Sequence, residues 1–216
     1  MFSLSEENYL KAIFHLEQAY KKGVSTNALA EGMETKASSV TDMVKKLSDK
    51  NLVKYKRYQG VKLSELGKKA AVEIIRKHRL WEVFLVEKLN FSWDEVHEVA
   101  EQLEHIRSDK LIQELDRFLD FPSRDPHGDP IPTAEGKFTV SNQRILAELD
   151  KGEAGVCVGV KDSSAEFLQY LDKHEISLGQ KILVLEKEEF DQSMLIEVGE
   201  KKIKISLEVS ENLHLK

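Results

Sequence analysis

Hydrophobic residues recur at helical spacing over most of the first 121 residues. Residues 5–21 place them on one face of a predicted helix that ends before Gly23. A short helix over Asn27–Met33 and a longer one over Ala37–Lys50 follow. In the longer helix the apolar positions fall at i, i+4 and i+7, at Val40, Val44 and Leu47.

The pattern changes to alternation at residues 52–63, LVKYKRYQGVKL, which predicts a β-hairpin around a Gln-Gly turn. Helical spacing then returns from Ser64 to about Leu89 and again from Trp93 to about Phe121. Ser92 and Glu95 form a capping box in front of the last helix.

The pattern of residue types changes again after residue 121. All four prolines lie within residues 122–132, which excludes regular helix or central strand there. Short apolar segments such as GVCVGV, KILVLEKE, MLIEVG and KIKISLEV then predict strands, with one amphipathic helix over Ala165–Lys173.

The sequence therefore predicts an α+β multi-domain chain that ends in a small β-barrel. The predicted divisions are a winged helix-turn-helix DNA-binding domain at 1–64, an all-α dimerisation and metal-binding domain at 65–121, a Pro-rich linker at 122–140 and the barrel at 141–216.

Charge separates the chain into two parts. Residues 1–80 hold 16 Lys and Arg against 9 Asp and Glu, a net charge of +7, whereas residues 81–216 hold 16 against 29, a net charge of −13. A basic block beside an acidic remainder indicates that the first part meets a polyanion.

Composition points to a cytoplasmic protein. One cysteine, Cys157, cannot form an internal disulfide and fits a reducing compartment. No apolar run approaches the roughly 18–20 residues needed to cross a membrane, and the N-terminus lacks a secretory pattern. We therefore expect no membrane partner.

A short helix, a tight turn, a second helix and a basic hairpin follow one another in the order of a winged helix-turn-helix, whose second helix enters the DNA major groove. Short hydroxyls near that helix start suit bases and phosphates, and the hairpin supplies a basic wing. Each lysine could equally be a solvated surface charge. The candidate DNA-binding residues are Lys36, Ser38, Ser39, Thr41, Lys45, Lys46, Arg57 and Tyr58.

Four ligand-type residues lie in VHEVAEQLEH, residues 96–105: His97, Glu101, Glu104 and His105. On one continuous helix they would share an arc of about 100° beside the apolar face. Imidazole and carboxylates suit Mn²⁺, Fe²⁺ or Zn²⁺. A hydrogen-bonded His–Glu pair beside a charged surface is the alternative.

Two further residues, His78 and Glu82, stand four apart on a predicted helix that is apolar nearly all round. A buried pair of this kind needs a partner or a metal. Enzyme alternatives are weaker. HEVAE resembles the zinc-protease motif H-E-x-x-H, but Glu101 stands where the second histidine should be.

On the basis of these residues, the chain resembles the diphtheria-toxin-repressor family of metal-dependent regulators, including its manganese-responsive branch. SSVTDMVKKL, RKHRLWEVFLVEKL, WDEVHEVAEQLEH and DPHGDPIP carry the resemblance, which runs over essentially the whole chain. It resembles the long form, whose C-terminal barrel is SH3-like and similar to FeoA.

The resemblance implies two metal sites. The regulatory site would use Glu101, Glu104 and His105 with Asn8 from the first helix, where relatives usually show Met or Asp. The position of Glu101 is Cys in iron-type members, so a carboxylate there favours manganese. Lys11 stands where some manganese-type members have a second acid. The ancillary site would be built from His78, Glu82 and His97 and completed from the linker or the barrel. The linker offers Asp125 and His127, and the barrel offers Asp162, Ser163 or Glu166, of which Asp162 and Glu166 are favoured by their chemistry.

The implied function is that of a homodimeric, Mn²⁺-activated repressor of metal-uptake genes that binds a palindromic operator in double-stranded DNA. Fe²⁺ is the alternative metal, and Zn²⁺, Co²⁺ or Cd²⁺ could act as surrogates. A metal-binding enzyme or sensor module without a DNA role remains the alternative from another class. Dimer pairing would draw on apolar residues such as Trp81, Phe84, Leu85, Trp93, Leu115 and Phe118.

Overall fold

The computed structural model describes residues 2–20, 23–56, 60–138 and 143–216. The chain forms two compact units. The first, called here the head unit, comprises Met1–His78, Glu101–Ile112 and Pro132–Lys137; the second, called the sheet unit, comprises Arg79–Ala100, Gln113–Ile131 and Phe138–Lys216. No helix of the described residues is long and apolar enough to cross a membrane.

The head unit begins with the predicted helix-helix-helix-hairpin order. It contains helices α1 (Leu4–Ala19), α2 (Thr26–Gly32) and α3 (Ala37–Asp49) and the antiparallel strands β1 (Val53–Lys56) and β2 (Gly60–Leu63). Ser3 and Ser25 cap α1 and α2 through their side chains.

One face of α3 forms part of the head-unit core. Val40, Val44 and Leu47 are fully buried, which stabilises the head by about 1.5–3 kcal/mol per side chain. Behind the hairpin, the amide of Val24 donates to the carbonyl of Val61 at 2.9 Å, and the reverse bond measures 2.8 Å. This bridge fixes the hairpin against the loop between α1 and α2. Most polar side chains of α3 are exposed.

The long helix predicted from Ser64 is α4 (Glu65–Leu89), but the next predicted helix is two helices. These are α5 (Val96–Leu103) and α6 (Asp109–Phe118). The prediction of one helix was wrong because Ser108 starts a new one: its hydroxyl accepts the amide of Leu111 at 3.3 Å. Glu104 and His105 therefore follow the end of α5, and the shared helical arc argued from the sequence does not apply to them.

The Pro-rich segment folds into a defined structure. Its amides and carbonyls bond across the turn, from Asp125 N to Asp129 O at 3.0 Å and from Ile131 N to Ser123 O at 3.0 Å. Asp125, His127 and Ile131 are buried. Proline blocks regular helix and sheet but not this compact turn, so the segment can position side chains.

The described residues of the C-terminal segment form one six-stranded antiparallel sheet. Its apolar side forms a separate core that includes Cys157. The elements of this segment are β3 (Arg144–Ile145), a 3₁₀ turn (Leu146–Glu148), β4 (Ala154–Val160), α7 (Ala165–Lys173), β5 (Lys181–Lys187), β6 (Met194–Val198), β7 (Lys201–Ile205), α8 (Leu207–Glu211) and β8 (Leu213–Leu215). The strands lie in the order β3-β8-β4-β5-β6-β7.

The strand predicted over KIKISLEV is too long. It ends at Ile205 because Ser206 caps the short helix α8, accepting the amide of Val209 at 3.3 Å. The sequence pattern also missed β3 and β8, which are only two and three residues long.

Candidate metal centres and DNA-binding surface

The polar face of α3 is the candidate DNA-binding surface. Lys36 stands at the N-cap without a side-chain cap bond, and Ser38 and Ser39 are exposed in the first turn. The Thr41 hydroxyl donates to the carbonyl of Ala37 at 2.8 Å. The two predicted wing residues, Arg57 and Tyr58, lie outside the described residues.

The two predicted lysine contacts on α3 differ in their surroundings. The ammonium of Lys45 lies 3.6 Å from Asp42 Oδ1 in a pair that is exposed on both sides. The ammonium of Lys46 lies 3.1 Å from Glu6 Oε1, although the lysine side chain itself is about half exposed. Lys45 is therefore the more available cation for a phosphate.

In the head unit, Glu104 is the centre of the candidate regulatory site. Its side chain is fully buried. Its Oε2 lies 2.6 Å from His78 Nδ1 and accepts a 2.8 Å hydrogen bond from Lys11 Nζ. Its Oε1 is buried and has no hydrogen-bond partner among the described residues. Burial raises the pKa of Glu104, but the bonds from His78 and Lys11 outweigh it and lower that pKa.

The imidazole of His105 lies beside Glu104 and turns its Nε2 atom toward Glu104 Oε1. Its Nδ1 lies 2.6 Å from Glu7 Oε2, and its Nε2 lies 3.8 Å from Glu104 Oε1, which is too long for a hydrogen bond. When Nδ1–H donates to Glu7, the lone pair of Nε2 is available as a ligand. A carboxylate that accepts the second ring N–H is the usual support of a metal-ligating histidine.

The other two residues predicted for this site lie at its margin. Asn8 is exposed, and the neighbouring Glu7 is the residue of α1 that contacts His105. Glu101 is about half exposed and accepts a 3.0 Å hydrogen bond from Lys11. Sequence reasoning missed Glu7, whose burial beside an exposed Asn8 depends on how α1 packs. The ligand roles of Asn8 and Glu101 remain predictions.

In the sheet unit, a second group forms around Glu82. One ligand atom from each of Glu82, Asp125 and His127 lies within 4.8 Å of the other two, and all three residues are buried. His127 Nδ1 is 3.7 Å from Glu82 Oε2. His97, about half exposed, approaches the same carboxylate, with its Nδ1 3.4 Å from Glu82 Oε1.

Backbone contacts hold the linker ligands in place. Asp125 Oδ1 accepts the amides of His127 and Asp129, each at 2.9 Å. Gly128 adopts φ +87°, and a Cβ there would lie 2.1 Å from the carbonyl oxygen of Val158 on β4. Only glycine allows the Pro-rich turn to approach β4 this closely, and the close approach positions His127 next to Glu82.

Charges around the Glu82 group shift two pKa values. Burial, followed by the negative charges of Glu82 and Asp129, raises the pKa of Asp125 to about 7 against the opposing effect of Arg79. Burial lowers the pKa of His127, but the contact with Glu82 outweighs it and raises that pKa to about 9. A divalent cation would relieve the repulsion between these carboxylates.

Three further residues predicted for the ancillary site, His78, Asp162 and Glu166, are not part of this buried group. His78 stands one helical turn before Glu82 on α4, and its Nδ1 faces Glu104 in the head unit. Asp162 accepts the amide of Ser164 at 2.8 Å just before α7, and Glu166 is exposed on α7. The group of Glu82, Asp125 and His127 includes neither, and their roles stay predictions.

Three family profiles match consecutive parts of the chain. Residues 1–61 match the N-terminal DNA-binding domain of iron-dependent repressors, residues 64–133 match the metal-binding and dimerisation domain of these repressors, and residues 145–216 match the FeoA domain. A solved structure of a manganese-dependent transcriptional repressor in complex with manganese aligns with a TM-score of 0.87 and 34% identity, covering 97% of this chain and 98% of that one. The chain belongs to the iron-dependent repressor family.

Individual relatives agree with this assignment. An uncharacterised HTH-type transcriptional regulator of Methanocaldococcus jannaschii is 36% identical over 118 residues, which is 55% of this chain and 94% of that protein. The iron-dependent repressor IdeR of Mycobacterium tuberculosis is 32% identical over 128 residues, or 58% of this chain. That match spans about half, 54%, of the length of the mycobacterial repressor.

These matches confirm two predictions made from the sequence, the repressor family and the α+β domain classes. Members are DNA-binding transcriptional repressors rather than enzymes. The donors of both candidate centres fit a metal of the kind that the family uses, since they are carboxylate oxygens and imidazole nitrogens. Glu104 also has one buried oxygen that finds no hydrogen-bond partner in the described ranges. The only cysteine of the chain is buried in the core of the C-terminal sheet and belongs to neither set of donors.

Proposed function

We propose that this protein is a cytoplasmic, homodimeric transcriptional repressor that Mn²⁺ activates to bind palindromic operator DNA of metal-uptake genes. One observation carries the metal dependence. The buried Oε1 of Glu104 and the Nε2 of His105 lie 3.8 Å apart, and Oε1 has no hydrogen-bond partner within the described part of the chain. Leaving a buried carboxylate oxygen unsatisfied costs about 1–3 kcal/mol, so the pair favours a bound cation.

The donor chemistry favours manganese. Oxygen-rich sets with one or two imidazoles suit Mn²⁺, whereas thiolate and thioether ligands select softer metals. Glu101, Glu104 and His105 supply such a set. The related repressors of known structure include one in complex with manganese and the repressor ScaR with bound Cd²⁺ or Zn²⁺. We propose Mn²⁺ as the effector, Fe²⁺ as the second candidate, and Zn²⁺, Co²⁺ and Cd²⁺ as surrogates.

In this proposal the regulatory metal supplies positive charge that holds a carboxylate and an imidazole together. Glu104 and His105 bind it, and Glu7 orients His105 through Nδ1. Lys11 holds the second oxygen of Glu104 and keeps the buried site from carrying an excess of negative charge. Because Glu7 belongs to α1, the metal-binding segment after α5 becomes tied to the first helix of the DNA-binding domain.

The Glu82 group is proposed as the ancillary metal site. Glu82, Asp125 and His127 would bind the ion, with His97 as a fourth donor at the exposed side. A metal here would link Glu82 on α4 to Asp125 and His127 of the Pro-rich turn, and these three residues belong to the sheet unit. Its binding would therefore stabilise the sheet unit, and proton loss from His127 would accompany it.

An exposed aromatic patch supports the proposed dimer. Phe118 and Phe121 are 63% and 65% exposed, and Leu89 is 51% exposed. The rings of Phe84 and Phe118 lie 6.2 Å apart, and Phe84 packs edge-on against Trp81. Residues 64–133 match a dimerisation domain, so a second copy is the occupant that fits this patch.

A dimer would present two copies of α3. Recognition helices about 34–36 Å apart enter successive major grooves, which requires a palindromic site. Metal helps DNA binding to the extent that the DNA-competent arrangement holds the ion more tightly, and by linkage DNA raises metal affinity by the same factor.

Fluorescence anisotropy with labelled DNA from the promoter of the protein's own gene tests the proposal. We expect tight binding with micromolar Mn²⁺ and loss of binding with a chelator. Lys45→Gln should weaken binding to all sequences and reduce the salt slope by about 1, as expected for one lost phosphate contact. Equal DNA binding with Mn²⁺ and with chelator would contradict the metal switch.

A further inference from the structure

Glu6 is a fully buried carboxylate in the first turn of α1, and it binds Lys46 in the last turn of α3 and Lys50 at the C-cap of that helix. Lys50 Nζ lies 2.7 Å from Oε1 and 2.9 Å from Oε2, and Lys46 Nζ lies 3.1 Å from Oε1. Glu6 Oε2 also accepts the amide of Ser3 at 2.9 Å. The start of α1 is thus fastened to the last turn of α3.

The adjacent residue fastens the same turn of α1 to the metal-binding segment. Glu7 Oε2 lies 2.6 Å from His105 Nδ1, and both side chains are nearly buried. The guanidinium of Arg107 donates to the carbonyl of Phe2, immediately before α1. All of these contacts lie within the head unit.

Successive residues on a helix point about 100° apart, so Glu6 and Glu7 reach different neighbours from one rigid turn. A displacement of His105 that moves Glu7 must also move Glu6 and, through the two ammonium groups, the end of α3. Charge-assisted hydrogen bonds are the strong class, and here they converge on a carboxylate shielded from solvent.

We infer that Glu6 is a positioning residue that couples occupancy of the regulatory metal site to the placement of α3 for DNA binding. The inference rests on the proposed function, because it presumes that metal and DNA binding are linked. With Glu104 and His105 holding a metal, His105 would fix Glu7 and with it the first turn of α1, and Glu6 would hold Lys46 and Lys50 in the arrangement that DNA selects.

The test measures a ratio, because a purely stabilising contact would also weaken DNA binding. The ratio is the Kd for operator DNA in chelator divided by the Kd in saturating Mn²⁺. Glu6→Gln keeps the size of the side chain and its acceptor for Ser3 but removes the charge that binds the lysines. We expect this ratio to fall at least tenfold, while Mn²⁺ affinity without DNA changes less than twofold.

By reciprocity, DNA should no longer raise the Mn²⁺ affinity of Glu6→Gln by the wild-type factor. Asp42→Asn is the matched control, because it removes a carboxylate from an exposed ion pair on the same helix α3. It should leave the ratio unchanged even where it alters DNA affinity.

A second variant guards against misfolding of the first. The double substitution of Lys46→Gln and Lys50→Gln removes the same ion pairs from the more exposed side, and it should also lower the ratio. A ratio equal to that of the wild type in both variants would overturn the coupling role and leave Glu6 a structural residue. A wild-type ratio of one would instead overturn the proposed metal switch itself.

Discussion

The exchange Glu104→Gln tests the regulatory site most directly. The neutral amide retains the shape of the side chain but loses the charge that binds His78 at 2.6 Å and Lys11 at 2.8 Å. Hydrogen bonds to charged groups contribute about 1.5–3 kcal/mol each, and an amide recovers part of this. We expect the metal-free variant to lose about 2 kcal/mol of stability, or about 4–8 °C in Tm for a chain of this size.

The rise in Tm that Mn²⁺ causes in the same variant is a second quantity to measure. A ligand at 100 times its Kd stabilises the folded state by about 2.7 kcal/mol, which corresponds to a rise in Tm of about 5–10 °C. The wild type should show this rise on addition of Mn²⁺. In Glu104→Gln the rise should shrink to what the Glu82 group alone provides.

Differential scanning calorimetry with chelator and with Mn²⁺ measures both effects, and titration calorimetry counts the ions bound. Glu98→Gln is the matched control, because Glu98 is an exposed glutamate on α5. It should keep both the wild-type Tm and the wild-type shift. A Glu104→Gln variant with unchanged metal-free Tm, ion count and shift would refute the reasoning.

Three further outcomes are expected. Lys11→Met should raise Mn²⁺ affinity about tenfold in titration calorimetry, because no ammonium then competes for Glu104; unchanged affinity would show that Lys11 does not oppose the ion. Phe118→Glu should weaken the dimer about 30-fold or more in sedimentation equilibrium, as for an aromatic hot spot; an undisturbed dimer would place the interface elsewhere. The raised pKa of His127 contributes stability that is present below pH 6.5 and lost as pH rises through about 9. Thermal melts in chelator should therefore lose about 2–3 kcal/mol over that range, whereas His127→Gln should show a flatter profile.

Much of the fold could be predicted because the decisive signals are local. The spacing of Val40, Val44 and Leu47 predicts α3, and α7 is observed over the predicted Ala165–Lys173. The break between α5 and α6 was missed, although Ser108 carries a capping signal that could have revealed it. The strand over KIKISLEV was extended too far because an apolar run does not show where Ser206 starts a helix.

The candidate sites were predictable in residue type but not in arrangement. Glu104, His105, Glu82, Asp125 and His127 all occupy the candidate centres that the structure defines. The prediction that these residues lie together came from their spacing on one assumed helix and from the resemblance to a known family.

By itself, the sequence determined the order of the elements, the basic head and the kinds of ligand atom available, because periodicity, charge and side-chain chemistry are properties of short stretches. Only the tertiary structure decided that Glu7 contacts His105, that one Glu104 oxygen has no partner among the residues that the structure describes, and that Gly128 brings a Pro-rich turn against β4. These facts depend on contacts between segments distant in the chain, about 98 residues apart for Glu7 and His105, and burial at such contacts sets which donors remain for a metal.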